Sequence, residues 1–499
     1  MARDDSASAY AEFSRFNFLL EGITMRSFKI HFLAITAAMA TMLLGFTPSA
    51  YAVPSFARQT GMACAACHTT FPQLTEFGRS FKLNGYILTG MHQIESGQGQ
   101  GTSAPQLKIN EVPPLSAMFM TSVSNMSKPL QDPGDGSNTQ NGNVEFPQQL
   151  SFFFAGEISE HMGVFSQITY THDSDHFSID NTDFRYAKHG KFGDADAIYG
   201  LTINNNPTVE DVYQGTPAWG FPFISSPITP GPIAATQIDG TLAQEVAGIG
   251  GYTFIANHWY LGATLYRSEH GGVTQPFGAS ATNTIKGLAP YWRLAYHNDF
   301  GSNDFEIGIY GISANITPEG VTGATDKYVD NAIDAYFEHP FGSDSIVFRG
   351  TYIHEKATFD ASQPLGLVSN SSDNLNTFKV NGEYHFKSNK ALALGAFRTT
   401  GSSDALRYKA SPDPLTSPPT CGVGTGIGCD PAPGFGSANG SPDTTGWILQ
   451  GTYLPWQNVQ LGLQYTWYTK FNGSSDNYDG LGRKASDNNT LFGYAWFMW

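Results

Sequence analysis

The chain has 499 residues and a net charge of −16; 14% of its residues are charged, 13% are aromatic and 54 are glycines. That acidity argues against nucleic acid as a partner and suits cations. Apart from one N-terminal segment there is no apolar run long enough for a membrane helix, which excludes a helical bundle. Low charge with many aromatic, glycine and small polar residues fits a transmembrane β-barrel instead.

Residues 1–24 are acidic and polar and read as an upstream leader or a misplaced start. Residues 25–52 read as a signal peptide: Met25, then basic Arg26 and Lys29, an apolar stretch from Phe32 to Phe46, and Ala50-Tyr51-Ala52 as the small-x-small cleavage pattern. Residues 53–90 follow, and they contain Cys64-Ala65-Ala66-Cys67-His68, the C-x-x-C-H pattern of covalent haem attachment. Two thiols at this spacing can bond to the two vinyl groups of one haem, and the adjacent histidine reaches the iron from the proximal face. The competing reading is a CxxC redox pair; structural zinc would need more ligands nearby. The motif directly follows an export signal, and this context favours one covalent haem c. Cys64 and Cys67 are then the attachment sites and His68 the proximal ligand.

Phe71, Leu74, Phe77 and Phe81 recur at helical spacings, so one short helix is expected to pack against the porphyrin. The segment is too short to build a core of its own and needs a wall to lean on. Arg58, Arg79 and Lys82 are candidates for pairing with the haem propionates, with solvated surface charge as the alternative. For the sixth iron ligand the order is Met91, then His92, then Met118 or Met120, because methionine in place of a second histidine raises the potential. Met62 is set aside as too close in sequence to His68. Met118, Met120 and Met126 share one parity, so they face either lumen or lipid together.

Residues 91–113 are polar and Gly-rich and read as a linker. From 114 to 499 the period is two. In the clearest case Val459, Leu461, Leu463, Tyr465 and Trp467 alternate with Gln460, Gly462, Gln464 and Thr466. About sixteen such segments follow one another, from 114–126 to 488–499. Connections after even-numbered segments are short. Those after odd-numbered ones are mostly long, as at 127–146, 205–244 and 401–443. The expectation is an all-β, transmembrane antiparallel β-barrel in the outer membrane, with a small N-terminal helical haem segment, both termini periplasmic and the long loops outside. Cys421 and Cys429 flank a Gly-rich loop and read as a disulfide, with a metal site as the alternative. Loop acids such as Glu210, Asp211, Asp239, Asp326, Asp373 and Asp404 either attract cations from outside or are ordinary solvated charge.

The run Pro54-Ser55-Phe56-Ala57-Arg58-Gln59-Thr60-Gly61-Met62, the motif Cys64–His68, then Phe77-Gly78-Arg79 and Lys82-Leu83-Asn84-Gly85-Tyr86 resembles the outer-membrane cytochrome–porin fusions, which include the iron oxidases of iron-oxidising bacteria. Beyond that run the likeness is architectural. The resemblance implies a haem domain lodged in or near the barrel mouth. It also implies electron transfer from an extracellular donor, Fe(II) foremost, to a periplasmic c-type cytochrome, which as an enzyme would be an Fe(II):cytochrome oxidoreductase. The alternatives are a porin whose haem segment is a structural plug, and a conduit running outward to an extracellular acceptor.

Overall fold

A computed structural model describes residues 54–88, 93–95, 108–110, 113–130, 141–142, 144–171, 176–216, 221–268, 284–318, 323–387, 389–409 and 434–499. The leader, the signal peptide, Met91, His92, Cys421 and Cys429 lie outside these residues.

Sixteen antiparallel strands close into one barrel. They are β1 Leu115–Met126, β2 Val144–Ser159, β3 Met162–Thr171, β4 His176–Phe192, β5 Ala195–Asn204, β6 Val246–Ile255, β7 Trp259–Ser268 and β8 Ala289–Phe300. The second half is β9 Asn303–Thr317, β10 Asp326–Phe341, β11 Asp344–Thr358, β12 Ser372–Phe386, β13 Lys390–Gly401, β14 Thr444–Trp456, β15 Val459–Lys470 and β16 Thr490–Met498. Each strand pairs with its neighbour in sequence, and β16 returns to β1 with Thr490 opposite Met126 and Met498 opposite Met118. Closure leaves no unpaired edge, which a sheet in lipid requires. The short two-stranded ladder of Gln93–Glu95 with Lys108–Asn110 lies in the linker.

The barrel is inside-out relative to a soluble protein. On β12, Phe378 and Val380 are 45% and 39% exposed on the outer face, while Asn381 and Glu383 turn inward at 8% and 3%. The same inversion places Ile307, Ile309, Leu392, Leu394 and Leu463 outside. Such a surface is stable only against hydrocarbon. At the strand ends next to the short turns, Phe192, Trp259, Phe300, Phe341, Phe386, Trp456 and Phe497 are all exposed. They form an aromatic girdle at one membrane interface, the periplasmic one by the parity of the loops. The expected strands are present in number and order. The main extension is β4, which runs on to Phe192, past the point where alternation stops. Lys188 to Phe192 is exposed on both faces, so this end has no lipid side to impose a period.

The lumen is filled. Residues 54–88 lie inside the barrel, and so do residues 205–216 and 221–245 of the long connection between β5 and β6. Arg293 of β8 bonds Asp211 of that connection at 3.3 Å, together with wall residues Glu306 at 2.9 Å and Asp334 at 2.7 Å. Further along, Ile238 N–H donates to Asp330 and Gln237 N–H to Glu355, both at 2.8 Å, and Lys379 pairs with Asp239. Several loop acids are therefore neither solvated charge nor exposed attractors of cations, the two readings the sequence offered. Glu210, Asp211, Asp326, Asp373, Asp404 and Asp479 are each at most 3% exposed. They serve as internal acceptors: Asp404 takes the N–H groups of Ser369, Asn370, Leu406 and Arg407. Loop backbone that cannot reach water must find such partners.

Candidate functional site: an apolar cavity at the periplasmic end of the lumen

Three helices carry the motif: α1 Ser55–Thr60, α2 Cys64–Cys67 and α3 Glu76–Leu83. Gly61, at φ +68°, ends α1 in the left-handed conformation that glycine adopts without penalty. Thr75 caps α3 by accepting from Gly78 N–H at 3.1 Å, and its own hydroxyl donates to Ala66 O at 2.7 Å. One side chain therefore starts α3 and ties it to α2. Gly78 is needed at that junction, because a Cβ there would lie 2.2 Å from Cys67 O. The expected helix is thus Glu76–Leu83 alone. It carries Phe77 and Phe81, while Phe71 and Leu74 precede it in an extended turn.

The wall supplies what the segment lacks. Ser55 donates to Ala155 O at 2.6 Å, Tyr252 to Leu83 O at 2.7 Å, Tyr86 to Asp183 at 2.7 Å and Arg349 to Gln73 at 2.7 Å. Arg79 pairs with Asp304, and its guanidinium lies 4.6 Å from the centre of the Tyr336 ring. Lys82 donates to Val209 O and to Asp211 O. Arg58 donates to Leu115 O. The three basic candidates thus all grip the wall or the inner loop, and of the three Lys82 alone also lines the cavity.

That cavity encloses about 1210 Å³ of empty space, counting its open mouth. Cys64, Cys67 and His68 line it, together with all four residues of the periodic series, Phe71, Leu74, Phe77 and Phe81. The opposite side is barrel wall: Phe153, Phe165, Trp496 and Met498. Ser116 near the start of β1 and Met498 at the end of β16 place it at the periplasmic end. Ladder bulges fall on the neighbouring strands, at Met120/Ser122, Glu157/Ser159 and Ser166/Ile168, where the wall bends around the segment.

His68 Nδ1 lies 3.1 Å from Pro72 O, and a carbonyl only accepts, so Nδ1 carries the proton. The Nε2 lone pair is left for a ligand, with the ring packed on Phe71 at 4.6 Å between centroids. Burial lowers the His68 pKa to about 4, so the imidazole is neutral. Burial also pushes the Cys64 thiol up, and it pushes Cys67 to about 11 with help from Cys64. A redox-active pair shows the opposite shift. Both cysteines are free thiols. An apolar slot with two protonated thiols and a neutral, oriented imidazole fits a covalently held haem.

Sequence reasoning missed the wall residues, because only closure of β16 on β1 brings Trp496 and Met498 to the motif. Among the described residues, Met62 and Met498 are the methionines lining the cavity. Met62 lies in the short turn between α1 and α2, and residues of both helices line the cavity. Met118, Met120 and Met126 face the lumen at 3%, 1% and 1% exposure, not lipid, and Met118 and Met120 pack in the cluster that holds Cys64 and Phe71.

No family model and no curated protein matches the chain. Among solved structures it is similar to OmpT of Vibrio cholerae, at 12% identity over 77% of this chain and 96% of that one, with a TM-score of 0.39. Salmonella typhi OmpF gives 11% identity, 77% and 97% coverage and a TM-score of 0.42. OprB of Pseudomonas putida gives 9%, 77%, 94% and 0.43. The chain's own closed sheet of sixteen strands, apolar exterior, aromatic girdle and loop parity make it a porin-like barrel of the outer membrane.

Proposed function

We propose that the chain is an outer-membrane electron carrier. In this reading it holds one haem c at the periplasmic end of a plugged barrel, accepts electrons from an extracellular donor, Fe(II) foremost, and passes them to a periplasmic c-type cytochrome. The observation that carries the reading is the cavity in which Cys64, Cys67 and the Nδ1-anchored His68 face apolar wall. A haem bound there supplies reversible one-electron chemistry at its iron. Cys64 and Cys67 would hold the haem through thioether bonds, each thiol adding its sulfur to one carbon and its hydrogen to the other carbon of a vinyl group, with no oxidant required. His68 offers Nε2. Met91, outside the described residues, would supply a thioether to the iron, beside Met62 and Met498, which line the cavity. Phe77, Phe81, Phe153 and Trp496 exclude water, which favours a higher potential. Of the three basic residues Lys82 alone lines the cavity; it would meet a propionate by giving up Val209 O or Asp211 O, as Arg58 and Arg79 would by leaving the partners they hold.

A second space of about 1300 Å³ lies on the outer side of the cavity. It reaches from Thr490 and Phe492 on β16 to Lys379 and Asp239. Phe223, Tyr494 and Trp496 pack between the two spaces, Phe223 on Trp496 at 5.2 Å and on Tyr494 at 6.2 Å between ring centroids. This outer space supports access for a small donor. It also favours the second reading, a solute channel whose haem segment is a plug.

Reduced-minus-oxidised spectra of intact cells, with and without Fe(II), test the proposal. The expected result is a c-type spectrum reduced by Fe(II) and absent from a Cys64→Ala, Cys67→Ala double variant. Haem that stays attached through denaturing electrophoresis in the double variant would overturn the site. Reduction by a periplasmic donor without response to Fe(II) would reverse the direction, and solute conductance with a redox-silent haem would favour the channel.

A further inference from the structure

Helix α3 meets the wall a second time, away from the thiols. Glu76 in its first turn, His297 and Asp299 of β8 each present a ligand atom within 4.8 Å of the other two. His297 is only 6% exposed, and its Nδ1 makes no hydrogen bond. Tyr213 and Phe254 hold the ring in place, with centroids 6.3 Å and 6.0 Å away. Its Nδ1 faces Asp304 Oδ1 at 3.4 Å, and that oxygen is likewise buried without a hydrogen bond. Its Nε2 faces Asp299 Oδ1, also at 3.4 Å. Three carboxylates, Glu76, Asp299 and Asp304, converge here on one imidazole. The cation in contact is Arg79, and it is engaged with the other oxygen of Asp304.

We propose that Glu76, His297 and Asp299 form a divalent transition-metal site that clamps the plug helix to barrel strand β8 at the periplasmic rim. Bonds of about 2.1 Å to a four-coordinate ion put ligand atoms about 3.4 Å apart. His297 Nε2 and Asp299 Oδ1 already have that separation, and Glu76, on the first turn of α3 with its carboxyl against Asp299, closes the remainder. Asp304 behind Nδ1 supplies the carboxylate that orients a metal-bound histidine and selects the tautomer with Nε2 available. An imidazole with two carboxylates suits Mn(II), Fe(II), Co(II) or Zn(II) better than Mg(II) or Ca(II), which take oxygen alone. The site is distinct from the haem cavity and does not rest on haem being bound: neither Glu76 nor His297 lines that cavity, although Phe77, the next residue along, does.

The test uses the full-length exported protein in detergent, with Mn(II) alone as the probe. Wild type is expected to remove one equivalent of Mn(II) from the free-ion EPR signal, with spin-echo modulation from one imidazole nitrogen. Glu76→Gln, an exposed and conservative change, is expected to weaken binding at least tenfold, and His297→Gln is expected to abolish the nitrogen coupling. Asp476→Asn, an exposed acid in the loop before β16, serves as the control and should leave both signals unchanged. Heat-modifiable electrophoretic mobility reports that each variant still forms a barrel. Less than one equivalent bound by wild type, full affinity in Glu76→Gln, or binding without nitrogen coupling would each overturn the site.

Discussion

At the scale of single residues, the segment that carries Cys64–His68 depends on close approaches that a larger side chain destroys. A Cβ at Gly78 would sit 2.2 Å from Cys67 O, and one at Gly163 on β3 would sit 2.2 Å from Gly85 O. Gly85 itself has φ +74°, so the turn that brings Tyr86 to Asp183 needs both glycines. Gly78→Ala is expected to cut haem incorporation severalfold while the barrel still forms, read as haem stain against heat-modifiable mobility. Equal stain per barrel would contradict the packing argument. Lys82 makes a pH prediction. Burial first, and the Arg185 charge second, lower its pKa from 10.5 to about 7. The docked segment therefore binds this proton less tightly than the undocked chain, and docking strengthens as pH rises between those values, by about 1.4 kcal/mol per pH unit. Protease protection of residues 54–88 should rise from pH 7 to 8.5 in wild type and stay flat in Lys82→Met. A parallel rise in the variant would remove Lys82 as the cause.

At the scale of elements, two segments compete for one lumen and brace each other. The plug is held to the wall by Arg79–Asp304 and to the inner loop by Lys82 and by Gln214, which accepts from Leu74 N–H at 2.6 Å. Breaking a buried ion pair by removing one partner costs about 3–5 kcal/mol. Asp304→Ala should therefore loosen the plug and raise its protease sensitivity without unfolding the barrel, whose ladders do not include that side chain. Residues 221–245 of the inner connection narrow the outer lumen, where they line its remaining space together with the wall. Deleting residues 221–235 should raise single-channel conductance in planar bilayers several-fold over wild type. An unchanged conductance would mean that the plug alone closes the pore.

At the scale of the whole molecule, orientation follows from loop length and is directly testable. Ser475 lies exposed in the loop before β16, and Ser302 in the short turn between β8 and β9. With Cys421 and Cys429 replaced by serine, Ser475→Cys should react with an impermeant maleimide on intact cells. Ser302→Cys should react only after the outer membrane is opened. The reverse pattern would invert the barrel and place the cavity of Cys64–His68 at the cell surface.

The alternation of apolar and polar residues was enough to determine the sheet, its strand number and its membrane, because each strand reports locally which face meets lipid. The series Phe71, Leu74, Phe77 and Phe81 likewise pointed, from short-range spacing, to an apolar site beside Cys64–His68. Only the tertiary structure decided what closes that site. Trp496 and Met498 lie more than four hundred residues from Cys64 in sequence, and they reach it through ring closure, which no local pattern encodes. The same holds for the acids of the long loops. Glu210 and Asp211 look like solvated charge in sequence, yet they are buried because their loop folds inward, where unpaired backbone and arginine groups of the lumen need acceptors.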